Sequence, residues 1–344
     1  MKVVVMGATG YAGAELLRLL TFHPHAEVVA IASGSHAGEN ISAIYPHLHG
    51  FIDLPLVDME TAQEIAARSD FLFIALPSGH AMQIGKALAN TPCRIIDLGA
   101  DYRFADIATY ETWYKNKHVH PEAKRVYGLA ELYHEQIRTA KIVGNAGCYT
   151  TASILALAPL AGEGLIEREN IIVDAKSGLS GAGRSAKQAN LFAEQTENFQ
   201  AYAVAGHRHT PEIEQALTGY FQATCRLTFT PHLVPMARGI LATCYANLAQ
   251  GVTAEKITAA FQKWYGKEPF VRLLGLGGYP ATKHVRGSNL CEIGWHVDVR
   301  TKRVIVLSAI DNLLKGAAGQ AVQNFNIMNG FDEMMGLQFA PLYP

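Results

Sequence analysis

The N-terminal segment of the chain combines a β-branched run, a glycine-rich turn and a helix-like run. Lys2 to Met6 read KVVVM, and G-A-T-G-Y-A-G from Gly7 to Gly13 leads into leucines at helical spacing. This order predicts a dinucleotide-binding unit, because the glycines let the backbone approach a pyrophosphate that faces the helix N-terminus. An ordinary tight turn is the alternative. The predicted cofactor contacts in this turn are Gly7, Thr9, Gly10, Tyr11, Ala12 and Gly13.

The second predicted strand ends without the acidic residue that usually binds the ribose of NAD. The strand spans Glu27 to Ala32, and the chain continues S-G-S-H-A-G with neither an acid nor an arginine. In NAD-binding folds an acidic side chain near this point holds the 2′-hydroxyl. Without it a 2′-phosphate meets no repulsion, and Ser33 and Ser35 can donate hydrogen bonds to the phosphate. The sequence therefore favours NADP, unless these serines only cap a loop.

The alternation of strands and helices continues through the first half of the chain. Strands are predicted at residues 70–76, 94–98 and 141–143, with a helix at 82–88. Ligands of parallel sheets bind beside the loops that follow the strands. Ser78, Gly79 and the D-Y-R segment ending at Arg103 are therefore candidates for cofactor or substrate contact. For Arg103 a surface ion pair is an equal alternative.

One cysteine lies at the predicted start of a helix. Cys148 follows G-N-A-G and precedes a predicted helix over 149–158 that ends at Pro159. A helix N-terminus stabilises a thiolate, and its amides can receive an oxyanion. A thiolate forms thioesters, which accept hydride, so we predict that Cys148 is a nucleophile rather than a packed hydrophobic residue. No such setting surrounds the other cysteines, Cys93, Cys225, Cys244 and Cys291.

A nucleophilic thiol usually needs a base, and the segment G-H-R-H-T-P-E-I offers one. Thr210 is the predicted N-cap of a helix and Pro211 its first residue, so His209 lies where positive potential keeps an imidazole neutral. His207 lies beside it, and a plain loop histidine is the alternative for both. The other H-x-H pairs are not accompanied by H-E-x-x-H or C-x-x-C, so no metal site is predicted.

A third polar segment, K-S-G-L-S-G-A-G-R, runs from Lys176 to Arg184 after a strand predicted at 171–173. A glycine-rich turn with free N–H groups and two cations makes an anion-binding surface. A flexible, solvated loop is the alternative. Two further cations, Arg238 and Lys315, interrupt apolar runs.

The second half of the chain predicts an α+β domain. Strands are predicted at 226–230 and 240–248, and residues 293–299 with 303–310 form a hairpin, which implies antiparallel pairing. A helix over 254–265, capped by Thr253, would cover this sheet. A last helix spans 312–328.

The composition excludes several classes of protein. The chain of 344 residues has a formal net charge of −1, which gives no electrostatic footprint for nucleic acid or an anionic membrane. The N-terminus reads as a strand rather than a signal peptide, and no apolar run is long enough to cross a bilayer. Five widely spaced cysteines fit a reducing cytoplasm better than a disulfide framework.

Seven motifs cover nearly the whole chain in order: G-A-T-G-Y-A-G, D-Y-R, Y-G-L-A-E-L, G-N-A-G-C-Y, K-S-G-L-S-G-A-G-R, H-R-H-T-P-E-I and D-N-L-L-K-G-A-A-G-Q-A. Together they resemble the N-acetyl-γ-glutamyl-phosphate reductase family, whose wider relatives are aspartate-semialdehyde dehydrogenases. The resemblance implies an NADPH-dependent reduction of a small-molecule acyl phosphate to an aldehyde in arginine biosynthesis. Cys148 would form a thioester with expulsion of phosphate. His209 would be the acid/base, and His207 beside it would contact the substrate or orient the site.

The resemblance also implies which other residues line the site. Asn312, with Ser180 and Gly181, is expected to contact the cofactor near the nicotinamide. The expected substrate contacts are Arg103, Glu131, Asn145, Lys176, Ser177, Gly178, Arg184 and Arg238.

The predicted fold is a Rossmann-type parallel-sheet domain over 1–147 and 312–344, with an α+β catalytic and oligomerisation domain of mainly antiparallel sheet over 148–311. We expect a cytoplasmic homodimer or homotetramer that binds NADP(H). The alternatives are an aspartate-semialdehyde dehydrogenase-type reductase of another acyl phosphate, a non-catalytic NADP-binding regulator and a cysteine hydrolase.

Overall fold

The computed structural model describes residues 1–343, which form two compact units. Unit 1 comprises Met1–Gly147 and Ala317–Gln338, and unit 2 comprises Cys148–Gly316 and, of the described residues, 339–343. The chain returns to unit 1 at residue 317, not at the predicted residue 312, because both ends of the Asn312 amide are hydrogen-bonded within unit 2. The C-terminal segment also departs from the prediction: the Leu342 amide donates to the Arg286 carbonyl at 2.7 Å, within unit 2.

Unit 1 contains one sheet of seven parallel strands in the order β3-β2-β1-β4-β5-β7-β6. The strands are β1 Lys2–Met6, β2 Glu27–Ala32, β3 Leu56–Val57, β4 Phe71–Ile74, β5 Arg94–Asp97, β6 Arg125–Gly128 and β7 Ile142–Asn145. The helices are α1 Tyr11–Thr21, α2 Ile41–Ile44, α3 Met59–Ala66, α4 Ala81–Ala87, α5 Ile107–Tyr114, α6 Ala130–Thr139 and α12 Gly319–Asn329.

The glycine turn lies at the switch point of this sheet. The central strands β1 and β4 are apolar on both faces, as expected for parallel strands covered on both sides. Chain order reverses between them, since β1 pairs with β2 on one side and with β4 on the other. Ligands of doubly wound sheets bind at the carboxyl ends of the strands beside such a point. The predicted Rossmann-type fold is confirmed.

Unit 2 contains a second sheet of seven strands in the order β12-β13-β14-β11-β8-β10-β9. Its strands are β8 Ile171–Gly178, β9 Gln200–Ala201, β10 Leu227–Val234, β11 Ile240–Asn247, β12 Val271–Leu276, β13 Cys291–Asp298 and β14 Arg303–Ile310. Its helices are α7 Cys148–Gly162, α8 Phe192–Gln195, α9 Thr210–Phe221, α10 Ala254–Tyr265 and α11 Thr282–Val285. Four of the six strand pairs are antiparallel, including the predicted hairpin of β13 and β14, so the mainly antiparallel sheet is confirmed.

Helix α10 covers one face of this sheet, as its sequence predicts. The Thr253 hydroxyl accepts the Lys256 amide as the N-cap, and Gly266 follows the last turn. On its buried side Phe261 stacks on Trp295 of β13, with ring centroids 4.4 Å apart. The apolar face of helix α10 therefore packs against the buried side chains of the sheet.

Several predicted elements have other bounds in the structure; β10, predicted at 226–230, spans Leu227–Val234. Helix α7 does not end at Pro159 but continues to Gly162, because Leu160 and Ala161 are buried and packing outweighs the hydrogen bond that proline lacks. Strand β8 continues past residue 173, because it pairs with β10 and β11 on both sides. The last helix begins with a π-helical turn, Leu314–Ala318, before α12. No helix among residues 1–343 is long and apolar enough to span a membrane.

Candidate active site

In unit 1, two of the three glycines in the turn after β1 lie where a side chain would clash with the backbone. Gly7 has a φ of +84°, and a Cβ there would lie 2.3 Å from the Ala75 carbonyl oxygen at the end of β4. A Cβ on Gly13 would lie 2.2 Å from the Gly7 oxygen. Gly10 is the N-cap of α1, whose first amides have no carbonyl partner within the helix. The turn thus brings a helix N-terminus against β1 and β4, which is the geometry that binds a pyrophosphate.

We expect Gly7→Ala to weaken both the fold and nicotinamide-cofactor binding. The added methyl group meets backbone atoms that cannot move independently, so the free energy of unfolding should fall by about 1–3 kcal/mol. Affinity for the cofactor should fall more than about tenfold, measured by fluorescence titration on the folded fraction. Gly219→Ala in α9 is the matched control, because nothing lies within 4 Å of that position. Equal affinity in wild type and Gly7→Ala would contradict a cofactor site here.

Hydroxyl groups surround the end of β2. The Oγ of Ser33, which is buried, lies 3.0 Å from Oγ1 of Thr9 in the glycine turn, whereas Ser35 is exposed. The Tyr45 hydroxyl donates to the Thr9 carbonyl at 2.9 Å. The region between the glycine turn and the end of β2 is therefore polar and uncharged.

The loop after β4 is fixed by Asp101, the first residue of the D-Y-R segment that the sequence indicated as a candidate. The Gly79 amide donates to both oxygens of Asp101 at 2.8 and 3.0 Å, and the Tyr110 hydroxyl donates to Asp101 at 2.7 Å. Asp97, at the end of β5, is fully buried, and burial together with the charge of Asp101 raises its pKa to about 7. The only sequence signal for Asp97 is an acid at the end of an apolar strand.

Three predicted substrate contacts lie in unit 1 and are engaged with its own groups. Arg103 is buried rather than part of a surface ion pair, and it donates from Nε to the Asn145 carbonyl at 2.7 Å. The Asn145 amide nitrogen donates to the Ala317 carbonyl at 3.1 Å. Glu131 accepts the Gln323 side chain at 3.2 Å. These bonds join the segment after β5 to the end of β7, the end of β7 to the segment leading into α12, and α6 to α12.

Cys148 is the first residue of α7 and is partly exposed. All five cysteines lie in the described residues, and the other four are buried. Burial raises the thiol pKa of Cys93 to about 12 and that of Cys225 to about 11. The π-helical turn brings Gly316 so close that a Cβ there would lie 2.7 Å from the Cys148 Cβ. The structure therefore sets Cys148 apart from the other thiols.

The two helices that begin at Cys148 and beside His209 are tied together. His209 is the N-cap of α9, so the helix begins at Thr210, one residue earlier than predicted. The Thr150 hydroxyl of α7 donates to the buried Glu212 carboxylate of α9 at 2.9 Å. The Tyr149 ring contacts the ring of His209 at 6.0 Å between centroids. The residue after Cys148 thus touches the candidate base.

His207 packs in the same aromatic cluster but is chemically distinct. Its ring lies 5.6 Å from that of Tyr149 and 5.2 Å from that of Phe229. Burial, with the positive charge of Arg208, lowers the pKa of His207 to about 4. The His207 imidazole is therefore neutral at physiological pH.

The predicted anion-binding segment is partly strand and partly turn. Lys176 lies on β8 and forms an ion pair with Asp174 at 3.0 Å, two residues away on the same face. Arg184 is exposed, and Arg238 lies 3.5 Å from the buried carboxylate of Asp311. The charge of Lys176 is thus compensated by a neighbour on its own strand. A prediction of β8 at its full length would have indicated this pair, because residues two apart on a strand share a face.

The remaining predicted residues of unit 2 converge around Asn312. Its amide oxygen accepts the Gly239 amide at 2.8 Å, and its amide nitrogen donates to the Ser180 hydroxyl at 2.9 Å. A Cβ on Gly181 would lie 2.9 Å from the Ser177 hydroxyl oxygen. The Gly178 amide donates to the Gly239 carbonyl at 2.9 Å. One buried asparagine therefore organises the loop after β8.

Two family models together match most of the chain. Residues 2–140 match the semialdehyde dehydrogenase NAD binding domain, and residues 148–312 match the semialdehyde dehydrogenase dimerisation domain. The fold resembles aspartate semialdehyde dehydrogenase II from Vibrio cholerae, with a TM-score of 0.72, 17% identity and coverage of 96% of this chain and 98% of that one. It also resembles the aspartate semialdehyde dehydrogenase with NADP from Candida albicans, with a TM-score of 0.69, 16% identity and coverage of 95% and 98%.

Curated relatives match over the full length. The chain is 52% identical to the N-acetyl-gamma-glutamyl-phosphate reductase of Desulforamulus reducens, with 100% of both chains covered. It is 49% identical to the protein of the same name from Moorella thermoacetica, again over 100% of both. On this likeness, together with the cysteine at a helix start and the glycine turn at a switch point, the chain belongs to the N-acetyl-γ-glutamyl-phosphate reductase family of semialdehyde dehydrogenases.

Proposed function

We propose that the protein reduces N-acetyl-γ-glutamyl phosphate to N-acetylglutamate 5-semialdehyde and phosphate, using NADPH, in arginine biosynthesis. The observation that carries the proposal is the partly exposed Cys148 at the start of α7, tied to the helix that His209 caps. Full-length relatives at about 50% identity bear the reductase name, which supports the substrate. The other cysteines offer no comparable nucleophile, because they are buried.

Cys148 performs the first chemical step. Its sulfur attacks the γ-acyl carbon, the bond to the phosphate oxygen breaks, and a thioester forms with release of phosphate. The amides at the start of α7 stabilise the negative charge that develops on the acyl oxygen. His209 accepts the thiol proton as the thioester forms, and it returns a proton to the Cys148 sulfur when the C–S bond of the reduced adduct breaks and the semialdehyde is released.

The residues of unit 1 fit a phosphorylated dinucleotide. The amides that follow the glycine turn would hold the pyrophosphate, and Ser33 with Ser35 would face a 2′-phosphate where an acid would repel it. Bound NADPH would supply the hydride that reduces the thioester. Ser78 and Gly79, whose loop Asp101 fixes, would complete this part of the site.

The substrate carries a phosphate and a carboxylate, so it needs cations and amides. We assign these roles to Arg184, which is exposed, and to Arg238, which is partly exposed and lies 3.5 Å from Asp311. Lys176 is more tightly held, by Asp174 at 3.0 Å, and Arg103 is buried and donates to backbone carbonyls. Ser177 and Gly178 would contribute polar groups, and Ser180, Gly181 and Asn312 would shape the cofactor side of the loop. Asn145 and Glu131 would act by fastening unit 1.

We further propose that the protein works as a cytoplasmic homodimer or homotetramer. The dimerisation-domain model that matches residues 148–312 supports self-association. All five cysteines are free thiols, which supports a reducing compartment.

The direct test is NADP⁺ reduction that depends on phosphate and N-acetylglutamate semialdehyde, the reverse of the proposed reaction. We expect turnover with this aldehyde, and a rate with aspartate semialdehyde at least about 100-fold lower, because the acetylated side of the longer substrate supplies binding contacts that the shorter one lacks. Preferential turnover of aspartate semialdehyde would overturn the substrate assignment. Cofactor binding without any aldehyde-dependent reduction would indicate the non-catalytic regulator instead.

A further inference from the structure

Three of the four H-x-H pairs in the chain form the same local hydrogen bond. In each, Nδ1 of the first ring accepts the backbone amide of the second histidine: His23 from His25 at 3.2 Å, His118 from His120 at 3.1 Å, and His207 from His209 at 3.1 Å. A ring nitrogen that accepts a hydrogen bond carries no proton, so the first imidazole of each pair is the neutral Nε2–H tautomer. The bond is the histidine counterpart of an Asx-turn, which also links a side chain to the amide two residues on.

Two of these pairs show what the tautomer does. Nε2 of His23 lies 2.8 Å from the Asn326 side-chain oxygen, and Nε2 of His118 lies 2.8 Å from the Asp101 carbonyl oxygen. Both partners are hydrogen-bond acceptors, and both first histidines are buried. In these pairs the first imidazole joins its own turn to a distant segment.

The third pair ends in a chain of hydroxyl groups beside Cys148. Nε2 of His207 lies 3.5 Å from the Tyr202 hydroxyl oxygen, which in turn donates to the Tyr149 hydroxyl at 3.3 Å. The Tyr149 hydroxyl donates to the backbone carbonyl of His232 at 3.0 Å. The His232 carbonyl can only accept a hydrogen bond, so the Tyr149 hydroxyl donates to it and the Tyr202 hydroxyl donates to Tyr149. The Tyr202 oxygen is therefore available to accept a hydrogen bond from Nε2–H of His207.

On these contacts, and resting on the proposed function for the role of His209, we propose that His207 is a positioning residue. Its Nδ1 fixes the backbone of His209, and Tyr202 and Tyr149 hold its imidazole in the tautomer that leaves Nδ1 free to accept. Tyr149, which follows Cys148 directly, therefore couples the nucleophile's helix to the turn that carries the base.

Two further features agree with this role. The His207 carbonyl also accepts the Thr210 amide at 3.0 Å, so His207 holds both residues at the start of α9. Burial and the charge of Arg208 lower its pKa to about 4, and a proton on Nδ1 would break the bond to the His209 amide. A neutral imidazole with both nitrogens engaged is suited to holding a turn.

The kinetic test separates positioning from contact with substrate. His207→Asn keeps an acceptor that can reach the amide two residues on, whereas His207→Ala removes it. We expect kcat to fall about 100-fold in His207→Ala and less than about tenfold in His207→Asn, with KM for the acyl phosphate within about threefold in both. Tyr202→Phe should lower kcat about threefold to tenfold at constant KM. Equal losses in the Asn and Ala variants, or a rise in KM alone, would overturn the proposal.

The control is the same pair of substitutions at His23, which follows the C-terminal end of α1, whereas the glycine turn lies at the start of that helix. There we expect a lower melting temperature in the Ala variant but wild-type kcat per folded molecule.

A readout independent of turnover keeps this proposal distinct from the proposed function. Nitrogen-15 NMR of the histidine rings, with His207→Asn used for assignment, reports the tautomer directly. We expect an Nε2–H imidazole that stays neutral at pH 6 in wild type, and a mixture of tautomers in Tyr202→Phe. An Nδ1–H tautomer in wild type would overturn the proposal even if the reductase is active. The expected tautomer in a protein without reductase activity would overturn only the proposed function.

Discussion

Cys148→Ser should abolish reduction of N-acetyl-γ-glutamyl phosphate while leaving the fold intact. A serine hydroxyl at this position remains protonated at neutral pH and is a poor nucleophile without the charge of a thiolate. The esters it would form accept hydride less readily than thioesters. We expect kcat to fall by a factor on the order of 10⁴ or more, as found when a covalent nucleophile is removed. The measurement is steady-state NADPH oxidation, with cofactor affinity determined in parallel.

The matched control is Cys93→Ala. Cys93 is buried in unit 1 and burial raises its thiol pKa to about 12, so it takes no part in nucleophilic chemistry. That variant should lose about 1 kcal/mol of stability and keep its kcat. A Cys148→Ser enzyme with wild-type turnover would contradict the thioester mechanism and leave direct reduction of the acyl phosphate.

Much of the fold could be predicted because its signals are local. The strand, glycine turn and helix at the N-terminus follow from a β-branched run, three glycines and spaced leucines within a short segment. Helix α10 carries its own cap, its amphipathic face and a glycine end, so its bounds agree with the prediction residue for residue. In these segments local preference and tertiary packing favour the same structure.

The misplaced boundaries depend on contacts between distant residues. Pro159 ends a helix by local rules, but burial of the residues after it keeps α7 helical for another turn. The length of β8 depends on β10 and β11, which lie far along the chain. Extending β8 places Lys176 beside Asp174 on one strand face, and so changes a candidate anion contact into an ion pair.

The site shows the same division between local and distant signals. The cysteine at a helix start and the histidine two residues before a proline can be identified from neighbouring residues alone. Asp97 could not be, because its importance arises from burial. Asp101 belongs to the predicted D-Y-R segment, but its bonds to the Gly79 amide depend on the fold. The Nδ1 bond within H-R-H is local, but the tyrosine chain that fixes its tautomer joins three separate segments.

His209→Gln should slow the reaction strongly without weakening substrate binding. Glutamine keeps a polar side chain of similar length at the N-cap of α9, but it can neither accept nor return a proton at neutral pH. General acid–base catalysis contributes about 10²–10⁴-fold, so we expect kcat to fall within that range with KM nearly unchanged. Alkylation of Cys148 by iodoacetamide at pH 7 should also slow, because the thiol proton has lost its acceptor.

The control for this variant is His49→Gln, a surface histidine whose side chain is 79% exposed, which should behave as wild type. Comparison with His207→Asn decides between the two imidazoles of the pair. If His209 is the base, His209→Gln is the slower of the two enzymes by at least about tenfold, because an engaged, neutral His207 cannot replace it. If His207→Asn is instead the slower enzyme, and its Cys148 alkylates more slowly, the two roles are reversed and the proton is moved by the histidine that contacts Tyr202.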